Sequence, residues 1–135
     1  MKPTIVIIAL IFSAATVSQP THAQQQLKTH NAINYRVHFE GMSPDSVYAT
    51  AQQLLAHPKL IVDIAGCKVT GFTLSTFPKG KDYIGPFISF DAGLTPEMKK
   101  VIEQSRKPDR IFFENIRVWC GNDTLIAMPL CVIRR

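Results

Sequence analysis

Apolar and polar residues alternate most cleanly at the start of the domain. Ile33, Tyr35, Val37 and Phe39 interleave with Asn34, Arg36, His38 and Glu40. A period of two puts one set on a buried sheet face and the other toward solvent, which predicts a half-buried strand ending at Gly41. The period then changes. Ser43-Pro44-Asp45 carries the residues that open helices, and Val47, Tyr48, Ala51, Leu54 and Leu55 form a stripe stopped by Pro58. Leu60 to Ile64 reads as a short strand turned by Ala65-Gly66, and Val69 to Phe77 as a longer one. Apolar parity changes across Gly71, the mark of a bulge. Pro78-Lys79-Gly80-Lys81 is a turn with two exposed amines, Asp82 to Pro86 a loop, and Phe87 to Phe90 a short strand.

The strongest local unit runs from Leu94 to Val118. Thr95 can cap a helix, Pro96 fits its first position, and Glu97 complements the dipole in its first turn. Met98, Val101, Ile102 and Ser105 recur at spacings of three and four, and Pro108 forbids continuation. Ile111, Phe112, Phe113, Ile116, Val118 and Trp119 then predict a buried strand, followed by a turn at Gly121-Asn122-Asp123. Thr124 to Ile133 is apolar at nearly every position and should be covered on both faces, with Pro129 placing it at an edge or bulge. Six or seven strands and two short helices make a mainly β domain. The expected architecture is an immunoglobulin-like β-sandwich, two packed sheets with helices over a rim or open edge.

The first 23 residues read differently. Lys2, an apolar run from Thr4 to Ala15, and small residues at Thr21 and Ala23 follow the layout of a secretory signal peptide. The run is about a dozen residues, short of the roughly 20 that span a bilayer as a helix. An uncleaved anchor is the alternative. Cleavage after Ala23 leaves one domain, residues 24–135, with a polar start from Gln24 to His30 and no transmembrane segment. Lys2 is the sole charged residue removed, so the mature chain is one charge less positive than the +5 of the whole. That mild, scattered excess does not point to nucleic acid.

Three cysteines in an exported chain allow one disulfide and one free thiol. Cys120 and Cys131 flank a turn, and in a regular hairpin they would lie roughly 20 Å apart along the ladder. A bridge needs its α-carbons within about 7 Å, which excludes that pair. Cys67 with Cys120 is favoured, because each adjoins a glycine at a strand end; the loop would be worth about 4 kcal/mol in the chain-entropy picture. Three reduced, packed cysteines remain the alternative.

Signals for catalysis or cofactors are poor. His30, His38 and His57 stand at no metal-ligand spacing, and His38 and His57 read as surface positions on a strand's polar face and at a helix end. A Cys67–His38 nucleophile pair has no support from spacing, and the chain lacks a Gly-x-Ser-x-Gly elbow, a Cys-x-x-Cys and a phosphate loop. Asn122-Asp123-Thr124 fits a glycosylation acceptor but reads as a tight turn. Most acids sit at helix starts, turns or strand ends; Glu114, inside the apolar strand, is the exception. Nearly all aromatic residues fall on predicted strands and read as core. The surface candidates are Lys79, Lys81 and Tyr83, with Arg106, Lys107, Arg110 and the tail Arg134-Arg135 beside them.

Lys68-Val69-Thr70-Gly71-Phe72-Thr73-Leu74-Ser75, Leu94-Thr95-Pro96-Glu97-Met98-Lys99-Lys100 and Arg110-Ile111-Phe112-Phe113-Glu114-Asn115-Ile116 together resemble the C-terminal domain of the GldM family of gliding-motility and type IX secretion proteins. The segment Ser43 to Leu55 fits the family's upstream helix more loosely. The resemblance implies a periplasmic β-sandwich acting through protein–protein contact rather than catalysis. A signal leading almost directly into the domain makes the chain look like a free-standing relative rather than the membrane-anchored shaft. The expected function is therefore a non-catalytic, exported interaction module, without cofactor, whose partner is a protein of the cell envelope. The partner could dock as a strand at an open sheet edge. A small secreted enzyme or inhibitor with a cysteine-lined pocket, or a cell-wall-associated envelope protein, are the competing expectations.

Overall fold

A computed structural model describes residues 36–135. The signal-peptide reading of 1–23, the polar start with His30, and the strand positions Ile33 and Tyr35 lie outside the described residues. The elements, in order, are β1 (Val37–Phe39), β2 (Tyr48–Ala49), α1 (Ala51–Ala56), β3 (Leu60–Val62), β4 (Cys67–Phe77), β5 (Ile84–Ser89), α2 (Pro96–Gln104), β6 (Arg110–Cys120), β7 (Asp123–Ile126) and β8 (Leu130–Arg134). The described residues are mainly β with two short helices, as the patterning predicts.

Six strands form one sheet in the order β2-β8-β6-β4-β5, with β7 also on β6; β1 and β3 pair as a separate antiparallel ribbon. The long strand β6 is the axis. It pairs with β4 along one side, and on the other with β8 at its start and β7 at its end. Its inner positions Ile111, Phe113, Ile116 and Val118 are fully buried. They share one core with Val69, Phe72 and Leu74 of β4, Phe39 of β1, Leu54 of α1 and Met98 and Ile102 of α2. Phe113 is central, its ring centroid 5.0 Å from Phe39 and 5.9 Å from Phe72.

The bulge predicted at Gly71 is present, and it has a counterpart. One extra residue in β4 between Val69 and Gly71 is offset by one extra in β6 between Arg117 and Glu114, after which the earlier register resumes. Each strand thereby shifts its inward parity, from Val69 to Phe72 and from Ile116 to Phe113, and the buried stripe stays continuous. Asn115 absorbs the irregularity with φ +49°. Gly71 is required by close approach, since a Cβ there would lie 2.6 Å from Arg117 Nη2 and 2.9 Å from the Ser89 carbonyl.

Helix α2 forms as its sequence predicts: Thr95 Oγ1 accepts from the Met98 N–H, and Met98 and Ile102 are buried. Helix α1 does not begin at Ser43-Pro44-Asp45. It is one short helix capped at Thr50, whose hydroxyl accepts from Gln53 N–H while Gln53 Oε1 accepts from Thr50 N–H. Tyr48 and Ala49 instead form β2, parallel to Ile133 and Arg134 of β8. Pro129 splits the predicted last strand into β7 and β8, and β5 starts earlier than predicted, at Ile84. Among the described residues, no helix is long and apolar enough to cross a membrane.

Cys67 and Cys120 stand opposite each other on β4 and β6 and form a disulfide. Cys131 is free and pairs with Phe112, far along the ladder from Cys120, as the hairpin geometry requires. The disulfide packs on the core side, because Cys67 and Val69 share inward parity, as do Cys120 and Val118.

Candidate functional site

The sheet's two faces are unlike. Its inner face is covered by the helices and the β1–β3 ribbon, while the outer face carries large apolar side chains that nothing among the described residues covers. Strand alternation puts Tyr48, Phe77, Ile88, Trp119 and Ile126 there, and all five are exposed, Phe77 by 58% and Ile88 by 51%. Phe90, one residue past β5, is 82% exposed. Reading the aromatic residues as core therefore holds for Phe39, Phe72 and Phe113 and fails for Tyr48, Phe77, Phe90 and Trp119, while Tyr83, a surface candidate from the sequence, is exposed. A strand's aromatic content does not say which face it serves. Phe77 stacks against Tyr83 at 4.8 Å and Phe112 at 6.1 Å, and Lys68 Nζ lies 5.5 Å from the Trp119 ring. Glu114 is on this face too, and solvent exposure explains its place in an apolar strand.

At the end of the sheet, where β4 turns into β5 and α2 runs into β6, lies a cavity of about 200 Å³. Lys79 and Lys81 of one loop and Arg106 and Lys107 of the other line it, with Val101 and Ile84 as apolar wall. Asp109 ties the loops together. It is 7% exposed, and its carboxylate accepts from the backbone N–H of Arg106 at 2.8 Å and of Lys79 at 3.4 Å. The sequence candidates Lys79, Lys81 and Tyr83 are thus divided: both lysines face the cavity, whereas Tyr83 joins Phe77 outside it. Arg106 and Lys107 reach the same mouth, a convergence that sequence order hides.

A second, shallower cavity of about 410 Å³ is bounded by residues 41–43 and 45–48, Gln53 and Arg135. Neither cavity is lined by a cysteine or histidine. Cys67 is committed to the disulfide, and Cys131, half-buried beside Arg110, has its thiol pKa raised by burial against that cation's opposing pull.

His38 is not a surface residue. It is buried, with Nε2 2.8 Å from Asp63 Oδ2 and Nδ1 2.9 Å from the Phe39 carbonyl. Both neighbours are acceptors, so both ring nitrogens donate when the ring is cationic. Burial is the largest single influence and lowers its pKa, but the hydrogen bonds to Asp63 and Phe39 and the Asp63 charge outweigh it, and the pKa is raised. Asp63, 25 residues away in sequence, covers what the alternating pattern presents as a solvated position. His57 ends α1 as its C-cap. Among the described residues, no cluster of three or more His, Cys, Asp or Glu side chains is arranged to hold a metal ion.

No family model matches the chain, and no curated protein sequence matches it.

Proposed function

We propose that the protein is a non-catalytic, exported interaction module that binds a protein of the cell envelope through the outer face of its six-stranded sheet. The observation that carries this reading is the run of exposed apolar side chains across β5, β4, β6 and β7, led by Ile88, Phe77, Trp119 and Ile126. Thr73, Glu114 and Arg117 of the same face stand between Ile88 and the residues Trp119 and Ile126. Aromatic and aliphatic side chains are thus mixed with polar ones as at protein interfaces, where exposed aromatic side chains supply contact area at low entropic cost. The Cys67–Cys120 disulfide supports export, since such bonds persist in oxidising compartments such as the periplasm or the extracellular space. Kinship with the GldM C-terminal domain, and with it the immunoglobulin-like sandwich and a role beside type IX secretion or gliding, belongs to this proposal. The two hydrogen-bonded sheets sharing one core support it.

Docking on the face is favoured over strand addition at the β5 edge. Pro86 offers no N–H there, and Gly85 sits at a break in the pairing with β4, so the edge is a poor template. Crosslinking in intact cells followed by affinity purification tests the reading. A protein captured by the parent chain and lost with Phe77→Ser plus Ile88→Ser supports it; capture unchanged by those substitutions, or no capture from intact cells, overturns it.

A further inference from the structure

We propose that the cavity between the β4–β5 turn and the α2–β6 loop binds a phosphate monoester group. Four cationic side chains, Lys79, Lys81, Arg106 and Lys107, line one small space, against the single carboxylate of Asp109. That carboxylate is turned inward and holds two backbone N–H groups, so it serves as the buckle of the site rather than a counter-charge at its mouth. None of the four cations is in an ion pair among the described residues; the pairs there are Arg36–Asp45 and His38–Asp63. With no carboxylate paired to them, the four cations leave the mouth of the cavity net positive, a charge that a bound dianion offsets.

Size and charge select the ligand class. At about 200 Å³ the space is below the roughly 300 Å³ where ordinary small-molecule pockets begin, so it admits a head group and leaves the rest of the molecule outside. A phosphate monoester carries close to two negative charges near neutrality and presents three acceptor oxygens to converging donors; a single carboxylate would leave most of them unmatched. The site is distinct from the apolar sheet face and does not rest on docking there.

The test is a titration of the purified chain with inorganic phosphate at constant ionic strength, with chloride as reference, followed by backbone amide NMR. Saturable shifts centred on Lys79, Lys81, Arg106 and Lys107 are expected, weakened at least tenfold by Lys79→Gln with Arg106→Gln. Both residues are exposed, and an otherwise unchanged spectrum establishes that the variant is folded. Shifts no larger than chloride gives, equal affinity in the folded variant, or saturable binding of a glutamate-rich peptide without any response to phosphate each overturn the proposal. Sedimentation with phosphatidylcholine vesicles, with and without phosphatidic acid, separates the sources. Binding that needs both phosphatidic acid and the basic pair assigns a lipid headgroup, and phosphate shifts without vesicle binding assign a soluble phosphate ester.

Discussion

The two faces of the six-stranded sheet are built from the same strands and have opposite fates. On β6, Ile111, Phe113, Ile116 and Val118 face the helices and are wholly buried, while Phe112, Arg117 and Trp119 between them face outward. Both faces carry aromatic and β-branched residues, so hydrophobicity alone does not distinguish them; what lies over them does. The inner face holds the fold together and the outer face is left for contact. Substitutions on the two faces should therefore separate stability from binding.

The inner face gives the largest expected effect. Phe113→Ala removes a ring packed against Phe39 and Phe72 in a site with no exposure, and should cost about 3–5 kcal/mol, read as a lowered urea midpoint. A loss below about 1 kcal/mol would mean that this face is not the core. The staple on the same side comes next. Cys67→Ala with Cys120→Ala opens a link between residues 53 apart and should cost about 4 kcal/mol in the chain-entropy picture. Unreduced protein, once unfolded, should expose one reactive thiol, that of Cys131, and reduction should add two. Three thiols before reduction would remove the disulfide.

The smaller ribbon sharpens the comparison through pH. The proton that His38 holds in the folded state is retained above the ordinary value of 6.5, because Asp63 and the Phe39 carbonyl favour the cation despite burial. Folding thus takes up a proton in that range. The stabilisation is fully present below the unfolded value and is lost as pH rises through the folded one. The Asp63 side chain is 61% exposed, which screens the pair and limits the effect to about 1 kcal/mol or less. The urea midpoint should fall as pH rises above the ordinary value of 6.5, and His38→Gln should flatten that slope. An equal slope in both proteins would assign it elsewhere.

Local chemistry was the part of this fold that the sequence disclosed. The cap at Thr95, the stop before Pro108, the parity change at Gly71 and the incompatibility of Cys120 with Cys131 each depend on neighbours a few residues away. The misreadings depend on distant partners. Tyr48 fits a helical stripe until Ile133 and Arg134 recruit it, with Ala49, into a parallel ladder. The helix then waits for the Thr50–Gln53 capping box. His38 looks solvated until Asp63, the residue just past β3, hydrogen-bonds its ring. The basic residues were visible one by one, but their convergence needed Asp109, which reads as an ordinary loop acid and acts as the clasp between two loops. Nor could strand patterning show that one face of the sheet goes uncovered, because alternation marks two faces without saying what packs on either.

The smallest expected effect on stability carries the most weight for function. Ile88→Ser with Phe90→Ser alters two large apolar residues that are 51% and 82% exposed, one on the outer face of β5 and one just beyond it. Surface substitutions of this kind usually leave stability within about 0.5 kcal/mol of the parent. If the outer face is a docking surface that reaches the β5 edge, losing two large apolar contacts there should cost about 1 kcal/mol or more of binding, a fall in affinity of at least about fivefold. An unchanged urea midpoint together with lost capture of the partner would establish that the two faces do different work. A large drop in stability would show instead that these side chains belong to the fold, and the search for a docking surface would have to leave the sheet.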